Sequence, residues 1–239
     1  KVSELIELCP TAKAVRFELN GNFFNFMPGQ FIMIQVDLEK NEKFKVIGDK
    51  PKIQKRAFSM SSSPTEKRFL EVTVKTTEEP FFSDYLINYS KVGEEFNVKG
   101  PFGIFYFDEN KTNKNVILIG AGSGISPLMS ILRYINDKKV KVNAHIIYSN
   151  KTEREILWRE EIEKLSEKNN ISYEFTLTKE EWKGTKGRVN KDMIEKNLKD
   201  INNTDFYLCG PPLFVKDIER ILMVELKIPK ENIKKEVYN

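Results

Sequence analysis

Hydrophobic and polar residues alternate over short distances in the first part of the chain. The segments AVRFEL, QFIMIQVDL, FLEVTVKT and EEFNVKGPFG mix β-branched or aromatic residues with polar ones, which is typical of half-buried β-strands. Turn-forming residues separate these segments at Gly21-Asn22, Pro28-Gly29, Gly93 and Gly100-Pro101. Many short strands joined by turns predict an antiparallel β-barrel or sandwich in this part of the chain.

The pattern changes after the polar stretch DENKTNKN, which covers residues 108–115. The run NVILIG is almost entirely apolar, as in a strand buried on both faces, and SPLMSILRYIND has the spacing of an amphipathic helix. The strand-like segments KVNAHIIYS, ISYEFTLT, TDFYLCG and NIKKEVY follow, alternating with the helix-like EREILWREEIEKLSEK and PPLFVKDIERILMVEL. This alternation predicts a parallel sheet covered by helices, an α/β arrangement. We therefore expect two domains, residues 1–110 and 111–239.

Charge and cysteine content exclude several classes of protein. The 239 residues include 39 Lys and Arg and 35 Asp and Glu, a net charge of +4 without a basic patch, which argues against nucleic-acid binding. The two cysteines, Cys9 and Cys209, are far apart, so neither a Cys-rich iron–sulfur or zinc site nor a disulfide framework is expected. No apolar run approaches the roughly 18 residues of a membrane span, and the polar first residues do not resemble a signal peptide. We expect a cytoplasmic protein without membrane insertion.

Three glycines, Gly120, Gly122 and Gly124, stand between the predicted strand NVILIG and a predicted helix. Such a turn lets the backbone approach a phosphate at a helix N-terminus, where unpaired N–H groups and the helix dipole favour an anion. The usual dinucleotide fingerprint has a further glycine, whereas here Pro127 opens the helix. The alternative is a tight turn whose glycines serve packing alone.

The next predicted strand ends at Ser149 and is followed by Lys151 and Arg154, with no carboxylate at these positions. A carboxylate there would hold a free ribose 2′-hydroxyl, whereas hydroxyl and cationic groups tolerate or favour a 2′-phosphate. The alternative is a solvated loop that carries ordinary basic residues.

Cys209 ends the apolar strand TDFYLCG, directly before Gly210 and Pro211. Ligands of open parallel sheets bind beyond the C-terminal ends of the strands, so Cys209 and the glycine turn are expected on the same rim. Taken alone, a cysteine at this position is more often a small buried residue. The single histidine, His145, lies in an apolar strand, and we interpret it as a core residue, which argues against a Cys–His hydrolase.

The segment KRAFSMSSSP combines the guanidinium of Arg56, the ring of Phe58 and a row of hydroxyls that begins at Ser59. Serines are poor helix formers, so this segment is predicted to be a strand that enters a turn. Its three kinds of group suit a ligand with a phosphate, a planar ring and polar ring edges.

In sequence order, the motifs PGQF, RAFSMSSSP, VKGPFG, GAGSGISP and CGPP resemble those of the ferredoxin–NADP reductase superfamily of flavoproteins. The resemblance covers essentially the whole chain, and five individually weak motifs in this order are together specific. It implies an N-terminal antiparallel barrel that binds a flavin and a C-terminal domain that binds a nicotinamide nucleotide. The reaction is expected in the cleft between them.

The resemblance assigns roles to the strand that contains RAFS. Arg56 is expected to pair with the flavin phosphates, Phe58 to pack on the flavin ring, and Ser59 to form a hydrogen bond near flavin N5, the atom that receives hydride. The family more often has Tyr at the Phe58 position. Further flavin contacts are implied at Ala57, Val74 and Lys75.

A second phosphate contact is implied at Ser83, which would begin a short helix as its N-cap and bind the flavin diphosphate with its hydroxyl and backbone N–H groups. The alternative is that Ser83 is an N-cap without a phosphate contact. Pro80 and Phe81 replace the glycine that the family has there. FAD is the expected flavin, and the missing glycine leaves FMN open.

In the nucleotide domain, the resemblance puts the segment from Gly120 to Pro127 at the pyrophosphate of NADPH or NADH. Cys209, with Gly210 and Pro211, is expected beside the nicotinamide. Arg188, in GTKGRV, is a candidate contact to the adenylate.

The chain ends KEVYN, and plant-type members end in a similar acid–aliphatic–Tyr run. In those members the Tyr stacks on the flavin and the acid lies near the nicotinamide. Glu236 and Tyr238 are therefore candidate catalytic residues, together with Ser59 and Cys209, although Asn239 follows the run here. The alternative is an ordinary last strand with an exposed Tyr.

The implied function is a flavin reductase in which hydride passes from NAD(P)H to the flavin and electrons leave one at a time. The chain has no iron–sulfur ligands of its own, so a separate carrier such as a ferredoxin is the expected partner. The alternative is a non-catalytic or redox-sensing electron-transfer subunit of a larger complex.

Overall fold

The computed structural model describes residues 1–37, 53–76, 81–167 and 170–238. Within these residues, the N-terminal half contains six antiparallel strands and a short α-helix that continues as a π-helix over Tyr85–Tyr89. The strands are β1 (Val2–Cys9), β2 (Ala12–Glu18), β3 (Phe31–Asp37), β4 (Ile53–Ser59), β5 (Phe69–Lys75) and β6 (Asn97–Phe102). The helix α1 (Phe81–Asp84) lies between β5 and β6.

The six strands form two antiparallel sheets, in the orders β1-β2-β5 and β4-β3-β6. A bridge between Met60 and Val72 connects the end of β4 to β5, and the two sheets enclose one apolar core. In β2, Val15 and Phe17 belong to this core, whereas the side chain of Arg16 between them is partly exposed. The alternation that predicted the strands thus places apolar side chains inside, and the predicted antiparallel barrel is confirmed.

The C-terminal half is a six-stranded parallel sheet in the order β10-β9-β8-β7-β11-β12. Its strands are β7 (Asn115–Ala121), β8 (Asn143–Asn150), β9 (Ile171–Leu177), β10 (Thr185–Lys186), β11 (Thr204–Gly210) and β12 (Ile233–Val237). Its helices are α2 (Ile125–Lys138), α3 (Arg159–Ser166), α4 (Lys191–Glu195) and α5 (Pro212–Arg220). The predicted α/β fold of this half is confirmed.

The central strand β7 is buried on both faces. Val116 and Leu118 belong to one apolar cluster, and Ile117 and Ile119 belong to another on the opposite face of the sheet. Successive side chains of a strand point to opposite faces, so only a continuous apolar run can fill both cores. This explains the sequence NVILIG and leaves the end of β7 free to carry the glycine turn.

The segment EREILWREEIEKLSEK was predicted as one helix, and the prediction is wrong for the first part of the segment. Residues 153–155 form a single 3₁₀ turn, Trp158 adopts a left-handed φ of 58°, and α3 begins only at Arg159. Ile156 and Leu157 are buried, and the indole Nε1 of Trp158 donates a hydrogen bond of 3.1 Å to Thr73 in β5. These tertiary contacts with the N-terminal half outweigh the local helical preference.

Gly100-Pro101, predicted as a turn between strands, instead lies inside β6. The pairing of β6 with β3 shifts register here, because Phe31 faces Phe102 while Met33 faces Lys99. The shift is a β-bulge, which tolerates a proline that has no backbone N–H to donate.

A buried ion network joins the two halves. The carboxylate of Glu71 in β5 is fully buried, accepts a hydrogen bond of 2.9 Å from the Ser61 hydroxyl, and pairs with Arg16 of β2 and Arg133 of α2. Arg133 pairs in addition with Glu161 of α3, at 2.6 Å. The predicted domain boundary near residues 108–115 falls between β6 and β7, on the chain segment that links the two sheets, and it remains a prediction.

Candidate active site

A cavity of about 350 Å³ lies between the two halves, within the range of small-ligand sites. It is lined by Phe31, Arg56, Ala57, Phe58, Ser59, Thr73, Lys75, Phe82 and Ser83 from the N-terminal half and by Ser123, Ser126, Glu236, Val237 and Tyr238 from the C-terminal half. Predicted site residues from both halves therefore meet at one place.

Strand β4 presents its predicted residues to this cavity. The guanidinium of Arg56 is exposed, and its Nη1 donates to the backbone carbonyl of Lys55 at 3.1 Å, the one hydrogen bond that it forms within the described part of the chain. Its remaining donors are available to an anion such as a phosphate. The ring of Phe58 lies 5.7 Å from that of Phe82, which adds a second aromatic wall.

Ser59 and Glu236 connect the two halves directly. The Ser59 hydroxyl donates a hydrogen bond of 3.2 Å to Oε2 of Glu236, and both residues line the cavity. Burial raises the pKa of Glu236 from 4.5 to about 7, although the bond from Ser59 opposes the shift. Near neutral pH the cavity therefore contains a carboxyl that can hold or release a proton.

Tyr238 places its ring at the same cavity. Its backbone N–H donates to the carbonyl of Gly210 at 3.0 Å, which fixes the end of the chain beside β11. Its hydroxyl is buried, has no hydrogen-bond partner among the described residues, and has a raised pKa because of burial. Contacts with Ser59 and Cys209 also act on its pKa, so this hydroxyl lies near both residues.

Cys209 is fully buried and does not line the cavity. In the parallel pairing of β11 with β12 it lies opposite Glu236. Burial raises the pKa of its thiol well above the usual value, so the sulfur stays protonated at neutral pH. This environment does not support a thiolate nucleophile, and the predicted position beside the nicotinamide remains a prediction.

The three positions of the turn after β7 require glycine for different reasons. At Gly124 an added Cβ would lie 2.2 Å from the carbonyl oxygen of Cys209, so close packing against β11 requires glycine there. At Gly120 an added Cβ would lie 2.8 Å from Cδ1 of Leu128. Gly122 has φ of +55° with open space beside it, and its carbonyl accepts a hydrogen bond of 2.8 Å from Tyr148. Packing therefore explains two glycines, and only Gly122 has space for a ligand.

The start of α2 is built from this turn. Pro127 is buried in its first turn, and Ser123 and Ser126 line the cavity, with the Ser126 hydroxyl donating to the Ser123 carbonyl at 2.9 Å. The start of α2 therefore lies beside the cavity, where a helix dipole favours an anion, although the Ile125 N–H is bonded to the carbonyls of Gly122 and Ser123 and Pro127 has no N–H.

Three residues of β5 and α1 were predicted to contact the flavin, and the structure places two of them at the cavity. Ser83 lines the cavity, but it lies inside the four-residue helix α1 and is not its N-cap. Lys75 also lines the cavity and pairs with Glu155 of the C-terminal half at 3.2 Å. The side chain of Val74 is fully buried in the barrel core, so it does not line the cavity. Pro80 and Asn239 lie outside the described residues.

The residues predicted to hold the distal part of the nucleotide lie beyond the cavity. Ser149 is buried at the end of β8, whereas Lys151 and Arg154 are exposed on the loop that follows. Arg188 is also exposed, with Asp217 at 3.9 Å. Gly210 ends β11, and Pro211 is the N-cap of α5. The structure does not bring these residues into one pocket.

Sequence reasoning missed several residues that line the cavity: Phe31, Thr73, Phe82, Ser123, Ser126 and Val237. Ser123 and Ser126 stand inside the motif GAGSGISP, so their position in the glycine turn was a usable signal. The others carry no chemical signal of their own and are recognised only once the strands are assembled. Among the described residues, no helix is long and apolar enough to cross a membrane.

Two family models match the chain. The Oxidoreductase FAD-binding domain matches residues 1–107, and the Oxidoreductase NAD-binding domain matches residues 118–220. The boundary between the two models agrees with the change from antiparallel to parallel sheet. The exposed guanidinium of Arg56 and the aromatic rings at the cavity fit the phosphates and the ring of FAD.

Curated relatives and solved structures agree with these models. The chain is 26% identical over 205 residues to the glycine betaine monooxygenase reductase subunit of Chromohalobacter salexigens, covering 83% of this chain and 52% of that protein. It is 30% identical over 224 residues to NADH-cytochrome b5 reductase 1 of Mycosarcoma maydis, covering 90% of this chain and 65% of that protein. The chain thus spans about half to two thirds of the length of these relatives.

The structure of a ferredoxin NADP+ reductase from Neisseria gonorrhoeae with bound FAD and NADP superposes with a TM-score of 0.78. The identity is 19%, and the match covers 99% of this chain and 96% of that one, so this similarity shows the fold. Together with the two family models, which cover most of the sequence, it shows that the chain belongs to the ferredoxin–NADP reductase superfamily.

Proposed function

We propose that this chain is a reductase that takes hydride from NADPH or NADH and passes single electrons to a separate carrier protein, such as a ferredoxin. The observation that carries the proposal is the cavity between the two halves, where Ser59, Glu236 and Tyr238 meet. Relatives described as reductase components of oxygenases support a protein acceptor. Bound FAD would supply the chemistry, because a flavin accepts two electrons together and releases them singly.

The residues of the N-terminal half bind and orient. Arg56 offers several N–H donors in a fixed fork, which suits phosphate oxygens. Phe58 and Phe82, whose ring planes are tilted by 39°, provide an aromatic wall for a planar ring. Lys75, which also lines the cavity, adds positive charge near an anionic ligand and at the same time pairs with Glu155 across the junction.

The residues of the C-terminal half exclude water and hold a proton. Tyr238 lines the cavity, and its buried hydroxyl lies near Ser59 and Cys209. Glu236 shares a hydrogen bond with Ser59 and, with its raised pKa, is protonated in part of the protein at neutral pH. This pair can give or take a proton at the cavity.

An anaerobic titration tests the proposal. The protein loaded with FAD is mixed with NADPH and, in parallel, with NADH, and the flavin absorbance is followed. The proposal expects bleaching within seconds, followed by recovery when an oxidised ferredoxin or cytochrome b5 is added. A flavin that binds but stays oxidised with both nucleotides would instead favour a non-catalytic subunit.

A further inference from the structure

A second cavity opens at the N-terminal ends of the strands of the C-terminal sheet, opposite the strand ends that face the candidate active site. It measures about 270 Å³ and is bounded by the N-terminal ends of β7, β8 and β9 and by residues 196–199, which follow α4. The two cavities share no lining residue, because the candidate active site lies at the C-terminal ends of the strands. The proposed reaction gives this second cavity no role.

His145 of β8 is the only histidine of the chain and lines this cavity. Its Nδ1 lies 2.8 Å from the Ser172 hydroxyl, while Nε2 is buried and has no partner within the described residues. The Ser172 hydroxyl also lies 3.5 Å from the carbonyl of Ala144, and when it donates there Nδ1 carries the ring proton and Nε2 is an acceptor. Burial lowers the pKa of His145 to about 4, which keeps the ring neutral.

Two lysines stand at the same cavity. Lys196 pairs with Glu174 at 2.7 Å, and Glu174 also accepts a hydrogen bond from Thr185, so this carboxylate is already compensated. Lys199 is exposed and forms no ion pair with any described residue. The cavity therefore carries a net positive charge, which favours an anionic ligand.

Asparagine side chains supply most of the remaining polar groups. Nδ2 of Asn143 donates to Asn115, and Nδ2 of Asn197 donates to the carbonyl of Met193, each at 3.0 Å. The side-chain carbonyls of Asn143 and Asn197 accept no hydrogen bond from a described residue. They are acceptors open to the donors of a ligand, whereas Nε2 of His145 is buried without a partner among the described residues.

We propose that this cavity binds a small polyol phosphate. Its anionic group would pair with Lys199 and approach Lys196, and its hydroxyls would donate to Asn143, Asn197 and Nε2 of His145. An anion without hydroxyl groups would not donate to the three acceptors, and a neutral polyol would not pair with the charge of Lys199. The cavity volume is just below the usual range for ligand sites, which restricts the ligand to a small molecule.

The single histidine makes the test specific, because its imidazole signals in an NMR spectrum come from this cavity alone. FAD-loaded protein labelled at histidine is titrated with glycerol 3-phosphate, with inorganic phosphate and with glycerol. Glycerol 3-phosphate should shift the His145 signals saturably with a Kd of about 1 mM or tighter. Inorganic phosphate should bind at least about fivefold more weakly, and glycerol should not saturate.

Two variants locate the ligand. Lys199→Gln should weaken glycerol 3-phosphate binding about fivefold, the effect of one exposed ion pair, whereas Lys216→Gln on α5 should leave it unchanged. Asn143→Ala should remove the advantage of glycerol 3-phosphate over inorganic phosphate. Absence of a saturable shift, equal binding of inorganic phosphate, or an unchanged Kd in Lys199→Gln would overturn the proposal. Reduction of the flavin by NADPH in the same sample tests the proposed function separately.

Discussion

The hydroxyl of Ser59 donates a hydrogen bond of 3.2 Å to Glu236, and this contact joins the end of β4 to β12 across the junction of the two halves. Ser59 is buried, and burial raises the pKa of Glu236 to about 7. A carboxyl on the surface would be ionised at neutral pH, whereas this one retains a proton in part of the molecules. The pair therefore links the assembly of the cavity to pH.

Raising the pH through about 7 should destabilise the protein through Glu236. Its folded pKa lies above the ordinary value of 4.5, so its contribution to the free energy of unfolding is complete below about pH 4.5 and is lost as the pH rises through about 7. We expect a loss of about 1–2 kcal/mol, less than the full shift would give, because the side chain is partly exposed. Denaturant unfolding of flavin-free protein at several pH values measures it.

Glu236→Gln should flatten this pH dependence, and Glu231→Gln, an exposed carboxyl before the same strand, serves as its control. Ser59→Ala should move the midpoint of the loss to higher pH, because the Ser59 bond favours the ionised form. A wild type and Glu236→Gln with the same pH dependence would show that the carboxyl titrates normally.

Arg56→Ala should weaken FAD binding about ten- to a hundredfold, because a charge-assisted phosphate contact is worth about 1.5–3 kcal/mol. Titration of the flavin-free protein with FAD, followed by flavin fluorescence, gives the Kd. Lys55→Ala is the matched control, since Lys55 is an exposed neighbour on β4 that does not line the cavity. A variant that purifies with a full complement of FAD would show that Arg56 is not a phosphate contact.

Sequence reasoning reached the fold because two different periods of apolar residues specify two kinds of sheet. It did not identify β1, where the adjacent apolar residues Leu5 and Ile6 interrupt the alternation and the strand is half exposed. It extended a helix through Trp158 because local propensity cannot show that the indole reaches Thr73 in the other half. Contacts between distant segments decide such positions.

The candidate site shows the same division. Arg56, Ser59 and Glu236 carry distinctive chemistry within motifs, and the cavity contains all three. Val74 has an apolar side chain whose direction only the assembled barrel reveals, and that direction is into the core. The buried state of Cys209 likewise follows from the packing of β11 between β7 and β12, which the sequence of one strand does not contain.

Cys209→Ala should retain FAD and lower the rate of flavin reduction by NADPH about tenfold or more, if the strand end approaches the nicotinamide as predicted. The fully buried thiol leaves only a small cavity, so the free energy of unfolding should fall by about 1 kcal/mol. Stopped-flow reduction and thermal unfolding separate the two effects. Cys9→Ala, at the other buried cysteine, should lose stability without losing rate. An unchanged rate in Cys209→Ala would assign Cys209 to packing alone.

Glu71→Gln should lower the free energy of unfolding by about 3–5 kcal/mol, because it leaves Arg16 and Arg133 with a neutral partner in a buried network. Glu66→Gln is the control: Glu66 pairs with the exposed Arg68, and such a pair contributes less than about 1 kcal/mol. Urea unfolding of both variants measures the difference. Equal effects of the two substitutions would show that the junction does not depend on this carboxylate.

The loop after β8 should favour NADPH over NADH by about ten- to fiftyfold in kcat/KM. The structure adds three carboxylates near this loop: Glu153 pairs with Arg159, Glu155 pairs with Lys75, and Glu180 accepts a hydrogen bond of 2.6 Å from the backbone N–H of Glu153. Lys151 and Arg154 are exposed and form no ion pair with any described residue, which leaves both for a 2′-phosphate.

Salt and substitution both test this preference. Exposed charges are screened over about 8–10 Å, so the preference should shrink as ionic strength rises. Lys151→Ala combined with Arg154→Ala should bring kcat/KM for NADPH down to the NADH value. Lys164→Ala combined with Lys216→Ala removes two exposed lysines elsewhere in this half and should leave kcat/KM unchanged for both NADPH and NADH. Equal efficiency with both nucleotides in the wild type, or a preference that survives the first double substitution, would leave the loop as ordinary solvated surface.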